Sequence, residues 1–430
     1  MARIVRTPVE RVADRAQALV GRRLDQLGTG IPLVAPPSAQ NKGLVGRVIE
    51  AYFGIRPNSR SEADFAALGI ELKTVPIRIS DGEARAKERV SIGMIDFEAL
   101  KHERWETAHV RSKLDHILFV FVRWEELRPV GYFEMLRAGL WRPDLATLAV
   151  MKDDWERVRD LAASGRADQV SESLSAVLGA ATKGPGHGST TRAWSLKQPF
   201  VGWIYRSMGS TRQAIQVSDD RSHFEDVAIN SLRIHAGKTL ASIGRELGIP
   251  NSTSKSAGAT IIRRLLGQPT RGRSEEFERF GVEVKTVPVS ARQRVHESMS
   301  FPVFTHEELV YEDWESSDLL GHLGRLLIVP LVRPARTATL AVELGRPFFW
   351  SPTEPELRGI RIEWERYRAL IEAGRSRDLP KASETRYIHI RPHSRRASDT
   401  EAAPGGHEVT KKSFWLNGHF VEEIIDRHRV

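Results

Sequence analysis

The sequence predicts a mixed α/β chain built from two copies of one module. Three observations lead there. Helical and strand-like apolar periods alternate along the chain. A cluster of acids around a Glu-x-Lys occurs twice, as Asp64, Glu71 and Lys73 and as Glu276, Glu283 and Lys285. The landmarks around both clusters recur in the same order at nearly constant spacing, as in a tandem duplication rather than a solenoid.

In the first copy, Val9, Val12, Ala16, Leu19 and Val20 stand at helical spacing, so residues 8–26 are expected to be an amphipathic helix. Pro32 to Pro37 reads as a loop. Leu44, Val45, Val48, Ile49 and Tyr52 form one face of a second helix over 44–53. Strands are expected near 69–77, 89–95 and 115–123, a helix over 152–163, and a terminal helix or strand–helix pair over 194–206. Gly184 to Ser189 reads as a flexible surface loop, and Arg391 to Lys412 as a polar, basic loop of the second copy.

The duplication extends well beyond the acids. The run from Asn41 and Lys42 to Gly54 lines up with Ser254 and Lys255 to Gly267. Trp105 matches Trp314, Trp141-Arg142-Pro143 matches Trp350-Ser351-Pro352, and Trp194 and Phe200 match Trp415 and Phe420. Domains are therefore expected at 1–206 and 222–430, joined by a polar linker at 207–221. Thr239 to Gly248 has the look of a helix-turn-helix, but it occupies the place of Gly21 to Gly28 and is read as the lead-in to the second module.

At 430 residues and net charge +9, the chain has room for two cores and suits a polyanionic partner such as DNA. It has no cysteine, which excludes disulfides, thiolate zinc sites and thiol nucleophiles. Its 14 histidines show no metal-ligand spacing. The longest apolar run, Ile117 to Val122, is too short to span a membrane. Met1 to Asp14 has no apolar core, so a cytoplasmic location is expected.

Ile70 and Leu72 alternate with Glu71 and Lys73, which on a strand puts the acid and the lysine on one face. Carboxylates beside a lysine can hold a hard divalent cation and activate a water, the chemistry of phosphodiester hydrolysis. Glu50 lies on the preceding helix, next to the loop that leads to Asp64. The segments from Asn41 to Glu50, from Asp64 to Pro76 and from Trp105 to Leu114 resemble the MutH family, whose members nick DNA at GATC in mismatch repair. Two such modules in one chain resemble the tandem type II restriction endonucleases that also cut at GATC. The resemblance implies two tandem restriction-endonuclease-like domains of the PD-(D/E)xK type. It makes Asp64 and Glu71 the main Mg²⁺ ligands and Glu50 an accessory one. Lys73 would hold the attacking water, Lys113 would be a second functional lysine, and Arg111 a phosphate contact.

The second copy departs from this pattern. Arg263 stands for Glu50, Glu276 for Asp64, Leu320 for Arg111 and His322 for Lys113, while Glu283 and Lys285 are kept. A fixed cation in place of a carboxylate opposes metal binding, so this copy reads as degenerate. Yet Tyr387 to Pro392 resembles the family's strand whose arginine, here Arg391, enters the DNA groove, and Trp415 falls at a recognition tyrosine. In the first copy Lys183, Lys197 and Trp194 are the candidate DNA contacts. Both tryptophans read equally as core residues. The expectation is an Mg²⁺-dependent type II restriction endonuclease acting on double-stranded DNA. Its first module would cut and its second would bind DNA as an effector. A dimer or DNA-induced dimer is expected, with a cognate methyltransferase as genetic companion and no membrane partner. A mismatch-repair nickase and a non-cleaving DNA-binding regulator are the alternatives.

Overall fold

A computed structural model of the chain describes residues 6–37, 43–55, 62–80, 83–171, 174–183, 191–208, 221–249, 257–269, 274–292, 294–295, 297–333, 342–393 and 399–428. Asn41, Lys42, Ser254, Lys255, the Gly184–Ser189 loop and most of the expected linker lie outside them. The chain separates into two compact units, Met1–Asp219 and Asp220–Val430. Among the described residues no helix is long and apolar enough to cross a membrane.

In the first unit the helices are α1 (Pro8–Gln17), α2 (Leu44–Phe53), α3 (Phe97–Leu100), α4 (His109–Leu114), α5 (Leu145–Ala163) and α6 (Gln198–Ser207). The strands are β1 (Glu71–Ser80), β2 (Glu83–Ala86), β3 (Val90–Met94), β4 (Ile117–Arg123), β5 (Met135–Trp141), β6 (Leu178–Thr182) and β7 (Arg192–Leu196). One sheet runs β2-β1-β4-β5, with β1 and β4 parallel and the outer pairs antiparallel; a second runs β3-β7-β6. The register sets Glu71 beside Ile117 and Ile117 beside Trp141, one row at the end where β1 begins. Alternate residues of the main sheet, Leu72, Leu118, Val120 and Val122, pack with Val48, Ile49 and Phe53 of α2 into one core. That burial holds α2, and Glu50 with it, near the start of β1.

The second unit repeats the plan with α7 (Arg221–Arg233), α8 (Leu240–Glu246), α9 (Ala257–Leu265), α10 (Glu275–Arg279), α11 (His306–Val310), α12 (Asp318–Leu323), α13 (Glu354–Glu372) and α14 (Gly418–Arg427). Its strands are β8 (Val282–Ser290), β9 (Met299–Phe304), β10 (Arg325–Arg333), β11 (Glu343–Leu344), β12 (Phe348–Trp350), β13 (Ile388–Pro392), β14 (Thr400–Ala403), β15 (His407–Thr410) and β16 (Lys412–Leu416). β8 and β10 are parallel, like β1 and β4, and β13-β16-β9 forms the smaller sheet. The duplication reaches the aromatic packing. Trp105 and Trp155 meet at 5.8 Å and 54°, and Trp314 and Trp364 at 5.6 Å and 58°. Trp141 meets Phe200 edge-on at 6.0 Å, and Trp350 meets Phe420 at 6.1 Å.

One polar device is also shared. Asp154 of α5 accepts hydrogen bonds from the backbone N–H groups of Ala176, Val177 and Leu178 at 2.7–2.9 Å, where β6 begins. Glu363 of α13 does the same for Arg386, Tyr387 and Ile388 at the start of β13. Buried strand-start amides, such as those of Val177, Leu178 and Ile388, would be costly without partners.

Several expectations need correction. The helix expected over 8–26 ends at Gln17, because Gly21 turns at φ 82 and donates to the Met135 carbonyl. The helix expected over 152–163 begins seven residues earlier, at Leu145, where Asp144 caps the Thr147 amide. Residues 194–206 are a strand followed by a helix, and the expected linker is helical at both ends, Ser207 closing α6 and Arg221 opening α7. The loop expected over Arg391–Lys412 holds the end of β13 and the β14–β15 hairpin. α8 buries Leu240 and Ile243 and packs on α9, as a structural lead-in does.

Candidate active site

Glu71 is the first residue of β1, and its side chain is only 4% exposed. Burial of Ile70 and Leu72 on the opposite face fixes its direction. Just upstream, Gly69 takes φ 61 and closes a tight turn in which the Phe65 N–H donates to the Ile70 carbonyl at 2.9 Å. The turn brings Asp64 back onto β1, where its Oδ2 accepts from the Leu72 N–H at 2.8 Å. Lys73, two residues along the same face, places Nζ 2.9 Å from Glu71 Oε1. Lys113, from α4, reaches the same oxygen at 3.3 Å.

Glu50 completes the group from α2. Burial raises its pKa, and the neighbouring Asp64 carboxylate raises it further, while Lys73 pulls it back. Burial likewise raises the Asp64 pKa, against the Leu72 amide, Lys73 and Lys113, with Glu71 adding to the rise. Glu50, Asp64, Glu71, Lys73 and Lys113 therefore share one electrostatic neighbourhood, drawn from α2, the β1 turn, β1 and α4.

The donor set fits a hard divalent cation. Glu71 Oε2 is buried with no hydrogen-bond partner. An orphaned carboxylate oxygen costs several kcal/mol unless something positive meets it. Here it stands with two further carboxylates whose charged forms are disfavoured by burial. Among the described residues no three acid or imidazole groups converge tightly enough to cage an ion. Any ion held here would keep water among its ligands.

The second unit closes the corresponding place. Glu283 is 8% exposed, and its Oε1 pairs with His322 Nδ1 while Oε2 faces Lys285 Nζ at 3.3 Å. Lys285 also donates to the Ser300 carbonyl at 3.0 Å and lies over the Phe301 ring. Glu276 sits half-buried on α10, and Arg263 donates to the Pro269 carbonyl at 2.9 Å.

The expected DNA contacts divide. Arg391 is exposed, with its guanidinium carbon 3.7 Å from the centroid of the half-buried Trp415 ring. His393 flanks the same ring at 5.1 Å, and Trp415 Nε1 has no hydrogen-bond partner. Lys183 is exposed just past β6. Arg111 pairs with Asp115 one turn on and lies over Trp105. Trp194 and Lys197 are not surface groups. Trp194 is 4% exposed inside the β3-β7-β6 sheet, and Lys197 is 7% exposed, donating to the Ser175 carbonyl at 2.8 Å. The core reading of Trp194 is the one realised.

Sequence reasoning passed over His116 and Arg142. His116 is 5% exposed, and its carbonyl accepts from the Glu71 N–H at 3.0 Å. Its ring Nδ1 lies 3.1 Å from the Arg142 guanidinium. A guanidinium can only donate, so Nδ1 is the acceptor, and burial and then Arg142 lower the His116 pKa. The signal in the sequence was the mismatch of Arg142 against Ser351 between a matching Trp and a matching Pro.

A mixed sheet that offers acid, Glu-x-Lys and a second lysine at one strand end defines a nuclease of the restriction-endonuclease-like class. The chain belongs to the MutH family. The family model, described as the DNA mismatch repair enzyme MutH, matches it twice, over residues 53–154 and 268–363. The chain is 24% identical to the type II restriction enzyme Sau3AI of Staphylococcus aureus, over 96% of this chain and 98% of that protein. It is 32% identical to the DNA mismatch repair protein MutH of Pasteurella multocida, over 43% of this chain and 82% of that protein. The MutH protein of Haemophilus ducreyi is also 32% identical, over 45% of this chain and 91% of its own length.

Proposed function

We propose that the chain is a type II restriction endonuclease that makes Mg²⁺-dependent double-strand breaks in DNA at a short palindrome, GATC. The first unit cuts, and the second binds DNA as an effector. The observation that carries this division is the state of the two equivalent glutamates: Glu71 keeps an unpartnered buried oxygen, whereas Glu283 is engaged through both. The match to a type II restriction enzyme over nearly the whole of both chains supports the restriction reading over the nickase, whose relatives match one unit's length.

Asp64 and Glu71, with Glu50 behind them, would hold the cation, which when bound lowers the pKa of a water and offsets charge on the scissile phosphate. Lys73 orients the attacking water and stabilises the charge that develops on the oxygen it attacks with. Lys113 draws Glu71 into place and adds a second positive charge beside the phosphate. Arg391, stacked on Trp415, supplies the second unit's DNA contact. The protein acts as a dimer or a DNA-induced dimer in the cytoplasm, its host DNA protected by a methyltransferase that is not a stable partner. Incubation with plasmid, with and without Mg²⁺, tests the reading. Linear products that need the metal support it; nicked circles would favour the nickase, and uncut plasmid with DNA bound would favour a regulator.

A further inference from the structure

We propose that Arg142 is a DNA backbone-phosphate contact beside the cutting site, an assignment that rests on the first unit being the one that cuts. Glu71, Ile117 and Trp141 stand in one row across β1, β4 and β5. Arg142 follows Trp141, so it leaves the sheet at the end where Glu71 opens β1, roughly 10 Å away across two strand spacings. Its side chain is exposed, and among the described residues its one partner is the ring of His116.

The kind of partner matters. A carboxylate would orient the guanidinium and cancel its charge. An imidazole nitrogen that accepts from it orients it and brings no negative charge to cancel its own. His116 is itself fixed, since its carbonyl holds the backbone N–H of Glu71. One buried residue thus sets the position of both the hydrolytic acid and the cation.

The second unit shows the opposite arrangement at the same place. Arg325 stands where His116 does and Ser351 where Arg142 does. Arg325 is bonded to both carboxylate oxygens of Glu225 and lies 3.4 Å from Ser351 Oγ. There the positive charge is neutralised within the protein; in the first unit it is presented. An oriented, exposed guanidinium beside a hydrolytic carboxylate has the planar, two-pronged geometry that binds a phosphate.

The test is the salt dependence of DNA binding by the full chain in EDTA, on one duplex with a central GATC and one without. The Arg142→Gln variant is expected to flatten the slope of log K against log salt by about 0.9 on both duplexes, the effect of one lost phosphate contact. Arg142→Lys is expected to keep the wild-type slope. In Mg²⁺, Arg142→Gln should raise KM more than it lowers kcat. A wild-type slope for Arg142→Gln would overturn the assignment, as would a defect confined to the GATC duplex, which marks a base contact. Absence of salt-dependent binding by the wild type would remove the nuclease reading along with it.

Discussion

Lys73 and Lys113 both close on Oε1 of Glu71, at 2.9 and 3.3 Å, and leave Oε2 buried without a hydrogen-bond partner. In the second unit His322 and Lys285 divide the two oxygens of Glu283 between them. The same strand position keeps an open oxygen in one unit and has both oxygens engaged in the other. The difference lies in Lys113 against His322 and in the oxygen that the shared lysine takes, Lys73 the same one as its neighbour and Lys285 the other.

Asp64→Ala or Glu71→Ala is expected to abolish cleavage while DNA still binds. Each removes a ligand oxygen and a negative charge, so affinity for the phosphates holds or rises. Lys73→Ala should be nearly as severe. Single-turnover cleavage decides it: a rate within about tenfold of wild type, a barrier change near 1.4 kcal/mol, would sink the site.

The second unit should tolerate what the first does not. Glu283→Ala or Lys285→Ala is expected to leave the chemical step nearly intact, whereas Arg391→Ala should weaken DNA binding or lose stimulation by a second site. If Glu283→Ala stops cleavage as fully as Glu71→Ala, both units are catalytic.

Glu50 carries a pH signature. Its folded pKa lies above the ordinary value, chiefly through burial. A raised carboxylate favours the folded state below its unfolded pKa and loses that contribution as pH rises through the folded pKa. At neutral pH in EDTA the ionised Glu50 is therefore a cost, and Glu50→Gln should raise Tm, an effect that fades in acid. Metal should narrow the gap, because it stabilises the wild-type carboxylates. A Glu50→Gln variant that melts lower than wild type at neutral pH would contradict the crowded-carboxylate account.

If the first unit alone cuts, its one centre faces two antiparallel strands, and two chains are then expected to meet across a symmetric target. Cleavage should then rise more steeply than first order in protein and run faster on two-site than on one-site plasmid. Equal rates with first-order dependence would reduce the second unit to a clamp on the same duplex.

The part of the site legible in the sequence is local. Asp64, Glu71 and Lys73 lie within one turn and one strand, and the alternation of Ile70 and Leu72 fixes their faces. What depended on distant partners was not legible. The interior placement of Trp194 and Lys197 comes from β3, β6 and the Ser175 carbonyl, none adjacent in sequence. The β14–β15 hairpin has no apolar period to announce it. Contacts from elsewhere fix it: Glu401 binds the backbone N–H and ring of His306, and the turn at Gly405 packs on Gly374. Arg142 was invisible for a similar reason, since its meaning lies in the acceptor nitrogen of His116.

The three-amide grip of Asp154 and Glu363 has a consequence for how such a chain diverges. Each acid anchors the root of a strand to the long helix behind it, identically in both units, while the tips differ, Lys183 in one and Arg391 in the other. Both strands are also paired to their ends, β6 with β7 and β13 with β16, so the groups at the tips sit at defined places. Substitutions beyond the grip can change which groups the strand extends toward a ligand without disturbing how the module folds. Two copies of a module built in this way can share one fold and differ in the groups they present.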